Sequence, residues 1–233
     1  TYYIVDNTDL VDNGGSVHSI VNGYKALLIP QNGEVNVKQF GAKADSTESV
    51  NVTDNTTAFN NALSYSDNVL VPTSHSWFYY VSGSITLGTN KHIRTENNCR
   101  IKQGDNKLFI IKGSYISIGD LYITSALQTS ESASAFYFDS TVGMENIRIK
   151  SIEVWDAYSV IRDANSTGSV VDCYIEDLRI FRPKAIPIKT YDFFAFIHLL
   201  KVDVDFTRNT TAPTFEAFHF ENTQGIYLER CDA

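Results

Sequence analysis

The stretch Ile116-Ser117-Ile118-Gly119-Asp120-Leu121-Tyr122-Ile123 places apolar residues at its first, third, sixth and eighth positions. This is the period-two alternation of a half-buried strand, interrupted once by an extra polar residue at the centre. The same pattern recurs without gaps at 147–154, 173–180 and 197–204, and a fifth copy, 226–233, ends the chain. The starts lie 31, 26, 24 and 29 residues apart. A slip of the alternation at one fixed place means that the chain turns a corner there while its apolar side chains keep facing inward. One such unit cannot bury its apolar face alone, so the copies must stack in parallel at the ~4.8 Å spacing of paired strands. The pattern predicts an all-β fold, a right-handed parallel β-helix. Cys173 and Cys231 fall on inward positions of it.

Upstream of the repeats only one segment reads as helix. Thr53-Asp54 offers an N-cap, and Ala58, Phe59, Ala62 and Leu63 make one narrow apolar stripe that ends before Asp67-Asn68. Such a stripe suits a short cap over the open first coil. After it, Val69–Val71, Phe78–Val81 and Ile85–Leu87 read as strands. With 13 Gly and 5 Pro, hairpin signals are scarce, which argues against an antiparallel sandwich. Residues 1–34, with Gly14-Gly15, Gly23 and Ala26-Leu27-Leu28-Ile29-Pro30, read as a neck or connector, and 35–233 as the N-terminal part of the coil stack. The last copy has no capping segment after it, so the stack is expected to continue beyond residue 233. The chain opens Thr1-Tyr2-Tyr3-Ile4 without Met or a basic-then-apolar leader, so an upstream start is expected too.

Composition narrows the function classes. The chain has 233 residues, 43% hydrophobic and 12% aromatic, which is a globular composition. Its net charge of −8 argues against a nucleic-acid backbone as partner. The longest apolar run, 193–200, is too short to span a bilayer and contains His198. Cys99, Cys173 and Cys231 lie far apart with no paired His at ligand spacing, so no disulfide framework, metal site or cofactor is expected. Asn-X-Ser/Thr triplets at Asn51, Asn55, Asn165 and Asn209 carry no weight in a chain so rich in Asn and Thr.

Stacking turns outward positions into ladders. One holds Tyr122, Glu153, Arg179, Asp203 and Asp232, and another holds Ser117, Arg148, Tyr174, His198 and Tyr227. Glu153 and Asp203 are then two rungs apart, about 10 Å between backbones, and their carboxyls can approach the ~6.5–9.5 Å that suits an inverting glycosidase. Arg179 between them would hold both carboxylates charged and work against a general acid. A solvated ladder in which Arg179 bridges the two carboxylates is the competing reading. Trp155 and Phe181 follow at equivalent places with Asp156 and Tyr158 nearby, so Trp155, Tyr158 and Arg179 are candidates for a glycan platform or for packing at a corner or between subunits. His198, alone between apolar neighbours, reads as structural.

The segment Val35-Asn36-Val37-Lys38-Gln39-Phe40-Gly41-Ala42-Lys43-Ala44-Asp45, followed by Thr53-Asp54-Asn55-Thr56-Thr57-Ala58-Phe59, resembles the opening of the pectate-lyase-like β-helix domain found in bacteriophage tailspikes. In that family a V-x-x-F-G-A-x-x-D strand precedes an acidic or Thr-rich loop and a T-D-x-T-x-A-F capping helix. The resemblance spans about residues 35–125 by motif and is specific for fold, not for reaction. It implies a homotrimeric virion appendage, joined to other tail proteins through its N-terminal region and assembled in the host cytoplasm. Such an appendage binds a bacterial surface polysaccharide and in many cases cleaves it. A non-enzymatic adhesin and a secreted pectate-lyase-like enzyme are the alternatives. The D-D and G-H-G motifs of polygalacturonases are absent, which disfavours the second of these.

Overall fold

A computed structural model describes the chain apart from residues 1, 6–10, 13–14, 21–23, 31, 98, 126, 131, 140, 142, 165–167, 192–195, 207–215, 222 and 233. Gly14, Gly23, Phe193, Asn165, Asn209 and Ala233 therefore lie outside the described residues. Strands Ile116–Thr124, Met144–Trp155, Val170–Phe181, Ile197–Asp205 and Ile226–Glu229 pair in parallel. Their register is that of the repeat: Ile116, Ile147, Cys173, Ile197 and Ile226 share one rung position. The protein is a parallel β-helix.

The predicted corner has a clear backbone cause. Asp120, Ser151, Asp177, Lys201 and Arg230, the fifth residue of each copy, all have φ between 54° and 58°. A residue in the left-handed region reverses the pleat and turns the strand, so pairing skips it, running from Gly119↔Lys150 to Leu121↔Ile152. Each long strand therefore contributes to two faces. The 116–119 half pairs back to His92–Thr95, and the 121–124 half pairs back to Cys99–Gln103. The third face is a six-stranded parallel sheet running from Ile85–Leu87 to Phe218–Phe220.

The three faces enclose one core. The first, third, sixth and eighth residues of the first four copies are buried, and Phe109 stacks on Phe136 at 5.5 Å where the third face meets them. Cys99 and Cys173 are buried thiols, and Cys231 is half-buried against the same core. Ile226 and Leu228 keep inward register but are 37% and 54% exposed, because no described coil stacks on this last rung.

The first coil is closed as expected, with two changes of detail. Helix Thr56–Tyr65 buries Ala58, Phe59, Ala62 and Leu63. Its N-cap residue is Asn55, not Thr53 or Asp54, although Asp54 Oδ1 still accepts the Thr56 N–H at 3.1 Å. Val37–Phe40 is a 3-10 turn and not a strand. Asn36 and Gln39 form a capping box around it, and Gly41, at φ 91°, ends it in a conformation that favours glycine.

The two family-like segments are hydrogen-bonded to each other. Thr53 donates to Asp45 from N and Oγ1, and the buried Asn55 exchanges bonds with both N–H and C=O of Lys43. Asn55 is thus spoken for as a clasp and is no glycosylation acceptor. Within residues 1–34, Tyr2–Val5, Val17–Ser19 and Lys25–Leu28 form a small antiparallel sheet, tied to the cap by a 2.5 Å bond from the Tyr65 hydroxyl to the Leu28 carbonyl.

Candidate functional site

The second face presents two outward rows. Register places Arg100, Tyr122, Glu153, Arg179 and Asp203 on one, with Asp232 bridged to Asp203 at its end. Beside it run Lys102, Thr124, Trp155, Phe181 and Asp205. The rings form a wall: Trp155 stacks on Phe181 at 4.4 Å and 23°, and Tyr122 lies 6.4 Å from Trp155 and 6.2 Å from Phe78. Arg100 caps Tyr122 at 5.2 Å, and Arg182, paired to Asp156 at 2.6 Å, caps Trp155 at 5.2 Å. Ring faces that cover one another leave mainly edges accessible, so Trp155 presents an edge here and not an open ring face.

Glu153 and Asp203 flank the Arg179 rung, two strand spacings and so about 10 Å of backbone apart. The predicted bridge by Arg179 is not formed. Its guanidinium lies 3.6 Å from Asp177, the corner residue of its own coil. Glu153 instead accepts the Trp155 Nε1–H at 2.6 Å, and Asp203 has no side-chain partner among the described residues. Burial, together with the neighbouring Glu153 carboxylate, pushes the Tyr122 phenol above its ordinary pKa. Each carboxylate borders its own cleft. One, of about 360 Å³, lies between Arg100, Tyr122, Ser151 and Glu153. The other, of about 370 Å³, lies between Phe181, Asp203, Asp205 and Asp232.

Tyr158 stands apart from both rows, in the turn after the strand, where its N–H donates to Gln128 Oε1 at 2.5 Å. Arg100 and Asp205 escaped the sequence reading. Arg100 belongs to a coil whose two strands, His92–Thr95 and Cys99–Gln103, are separated by more than one residue, so an ungapped pattern misses it; Asp205 lies one residue past the eight-residue pattern. On the first face, His198 is sandwiched between Tyr174 and Tyr227 at 4.4 and 4.6 Å, with rings parallel within 9°. Among the described residues, no group of three or more His, Cys, Asp or Glu is arranged to hold a metal, and no helix is long and apolar enough to cross a membrane.

No protein-family model and no curated protein sequence matches the chain. Solved structures do. The tailspike gp49 of Acinetobacter baumannii bacteriophage Fri1, a capsular polysaccharide depolymerase, superposes with a TM-score of 0.72 at 14% identity, over 99% of this chain and 46% of that one. The fold is that of the tailspike β-helix. The enzymatically active domain of bacteriophage CBA120 tailspike protein 2 gives a TM-score of 0.61 at 15% identity, over 99% of this chain and 40% of that one. A putative glycosyl hydrolase from Parabacteroides merdae gives 0.64 at 14% identity, covering 85% of this chain and 94% of its own. The chain spans less than half the length of the two tailspikes whose fold it shares.

Proposed function

We propose that this chain is the N-terminal part of a tailspike-type appendage that binds a bacterial surface polysaccharide and cleaves it. The observation that carries the reading is the unbridged carboxylate pair, Glu153 and Asp203, each bordering a cleft along one face of the solenoid. A linear glycan laid along the axis crosses both clefts against the ring wall. Two carboxylates on successive sides of one scissile bond, with room for a water between them, suit an inverting hydrolysis. Glu153, half-buried beside Tyr122 and Trp155, is assigned the proton donor to the leaving oxygen. Asp203, exposed, is assigned the base that takes a proton from the attacking water. Arg179 and the edge of Trp155 position the sugar between them, and Tyr158 is left outside both clefts. The small antiparallel sheet of residues 1–34 is the segment that would join other tail proteins, and three copies would make the particle-bound trimer.

The test is shortening of polysaccharides extracted from a panel of bacteria, read by size-exclusion chromatography with the full-length protein. One polymer should shorten without an unsaturated product, and Glu153→Gln and Asp203→Asn should each slow it by about a hundredfold or more with unchanged melting. Full activity in both variants would refute the assigned roles. Binding to cells without shortening of any polymer would leave a non-enzymatic adhesin.

A further inference from the structure

The outer side of the first face carries a hollow of about 410 Å³, which shares only Asp120 with the two clefts described above. It exists because one rung lacks side chains. Ser117 and Gly119 form its floor, while the rung before supplies His92 and Arg94 and the rung after supplies Arg148 and Lys150. Gly119 is not demanded by the backbone. Its φ is not positive, and an added Cβ would meet only the Lys150 carbonyl oxygen at 3.4 Å, an ordinary contact. Glycine weakens a strand interior, so what its presence creates is the open space.

The walls are fixed and polar. Glu34 holds Arg94 through two bonds of 2.8 and 3.0 Å, and His92 Nδ1 bonds Ser117 Oγ at 2.8 Å. Lys150 is paired to Glu176 at 3.2 Å. Arg148 is different: it lies 3.4 Å from Asn146 Oδ1 and 5.5 Å from the Tyr174 ring, and faces no carboxylate among the described residues. With Arg94 neutralised by Glu34 and Lys150 by Glu176, Arg148 is the cation that the hollow has to offer, on a chain of net charge −8. An unpaired guanidinium over a vacant polar floor suits a planar carboxylate, which it can hold bidentately, and the remaining His, Ser and Asp groups suit hydroxyls.

We propose that this hollow binds a carboxylate-bearing sugar residue, its acidic group on Arg148 and its ring over Ser117 and Gly119. The proposal rests on the polysaccharide reading but not on the cleavage site. It is tested on the whole chain by amide NMR with sodium glucuronate, glucose and sodium sulfate at matched ionic strength, at concentrations on the order of 10 mM. Glucuronate should move the Ser117, Gly119 and Lys150 amides. Glucose should bind about tenfold more weakly or worse, as should glucuronate to Arg148→Gln. Gly119→Leu should block the hollow without lowering the melting temperature, and Arg148→Gln, at an exposed site, serves if that variant misfolds. The proposal is overturned if those amides do not move, if sulfate moves them equally, or if Arg148→Gln binds like the parent. A protein that shortens a neutral polymer yet ignores glucuronate would sink this pocket alone. A glucuronate response without any shortening would support the pocket and remove only the cleavage.

Discussion

Replacing Asn55 by Ala should unlatch the cap from the first coil. The side chain is fully buried and its Oδ1 accepts the Lys43 N–H at 2.7 Å. Its Nδ2 lies 3.0 Å from the carbonyls of Lys43, Thr53 and Tyr80, two protons shared among three acceptors. Tyr80 O keeps a partner in the Asn55 backbone N–H at 2.8 Å, but the Lys43 N–H and the other two carbonyls lose theirs. At about 1 kcal/mol per net hydrogen bond, with a further penalty for the orphaned donor and some relief from entering water, the cost is about 3–5 kcal/mol. In urea that is a midpoint lowered by about 1–3 M with an unchanged slope. The control is Asn51→Ala, the same chemistry on an exposed residue, which should cost under about 0.5 kcal/mol. Because stacked repeats can unfold in parts, amide exchange at Lys43 and Phe59 should accelerate ahead of exchange in the 170–181 strand. A midpoint for Asn55→Ala within error of Asn51→Ala would refute the clasp.

Three further predictions follow from local chemistry. Burial, with Glu96 nearby, pushes the Cys99 thiol up to about 12, and burial alone raises Cys173, so both stay protonated and unreactive at pH 8. A thiol reagent should therefore modify only Cys231 in the native protein and all 3 cysteines after denaturation. Lys201, at φ 54°, should tolerate Asn within about 0.5 kcal/mol, whereas Val should cost about 1–2 kcal/mol or more in thermal melts. Burial raises the Asp54 carboxyl, but hydrogen bonds from Ser82 and Thr56 outweigh it and leave the pKa below its ordinary value. Its contribution to stability is then full above the unfolded carboxylate pKa and lost as pH falls through the lower folded value. Asp54→Asn should flatten the acid limb of the stability curve, and an unchanged limb would contradict the assignment.

Rung position was readable from the sequence, because inward apolar residues at fixed offsets leave only one in-register stacking. That gave which residues share a row, including Glu153, Arg179 and Asp203. Which partner a side chain chooses within its row was not readable. Arg179 sits between two carboxylates by register yet pairs with Asp177, since the left-handed corner brings that carboxylate to 3.6 Å of the guanidinium. Trp155 takes Glu153 for a similar reason: an indole two residues along the strand shares its outward side. Beyond Ile85–Leu87 the third face was also obscure, its strands of three to five residues being too short to show a period amid connections of unequal length. The hollow over Gly119 needs both levels at once. A glycine in a strand means little alone, but set in register between Arg94 and Lys150 it becomes a missing side chain in a row of long ones. In a solenoid, an absence can mark a site as plainly as a charged residue does.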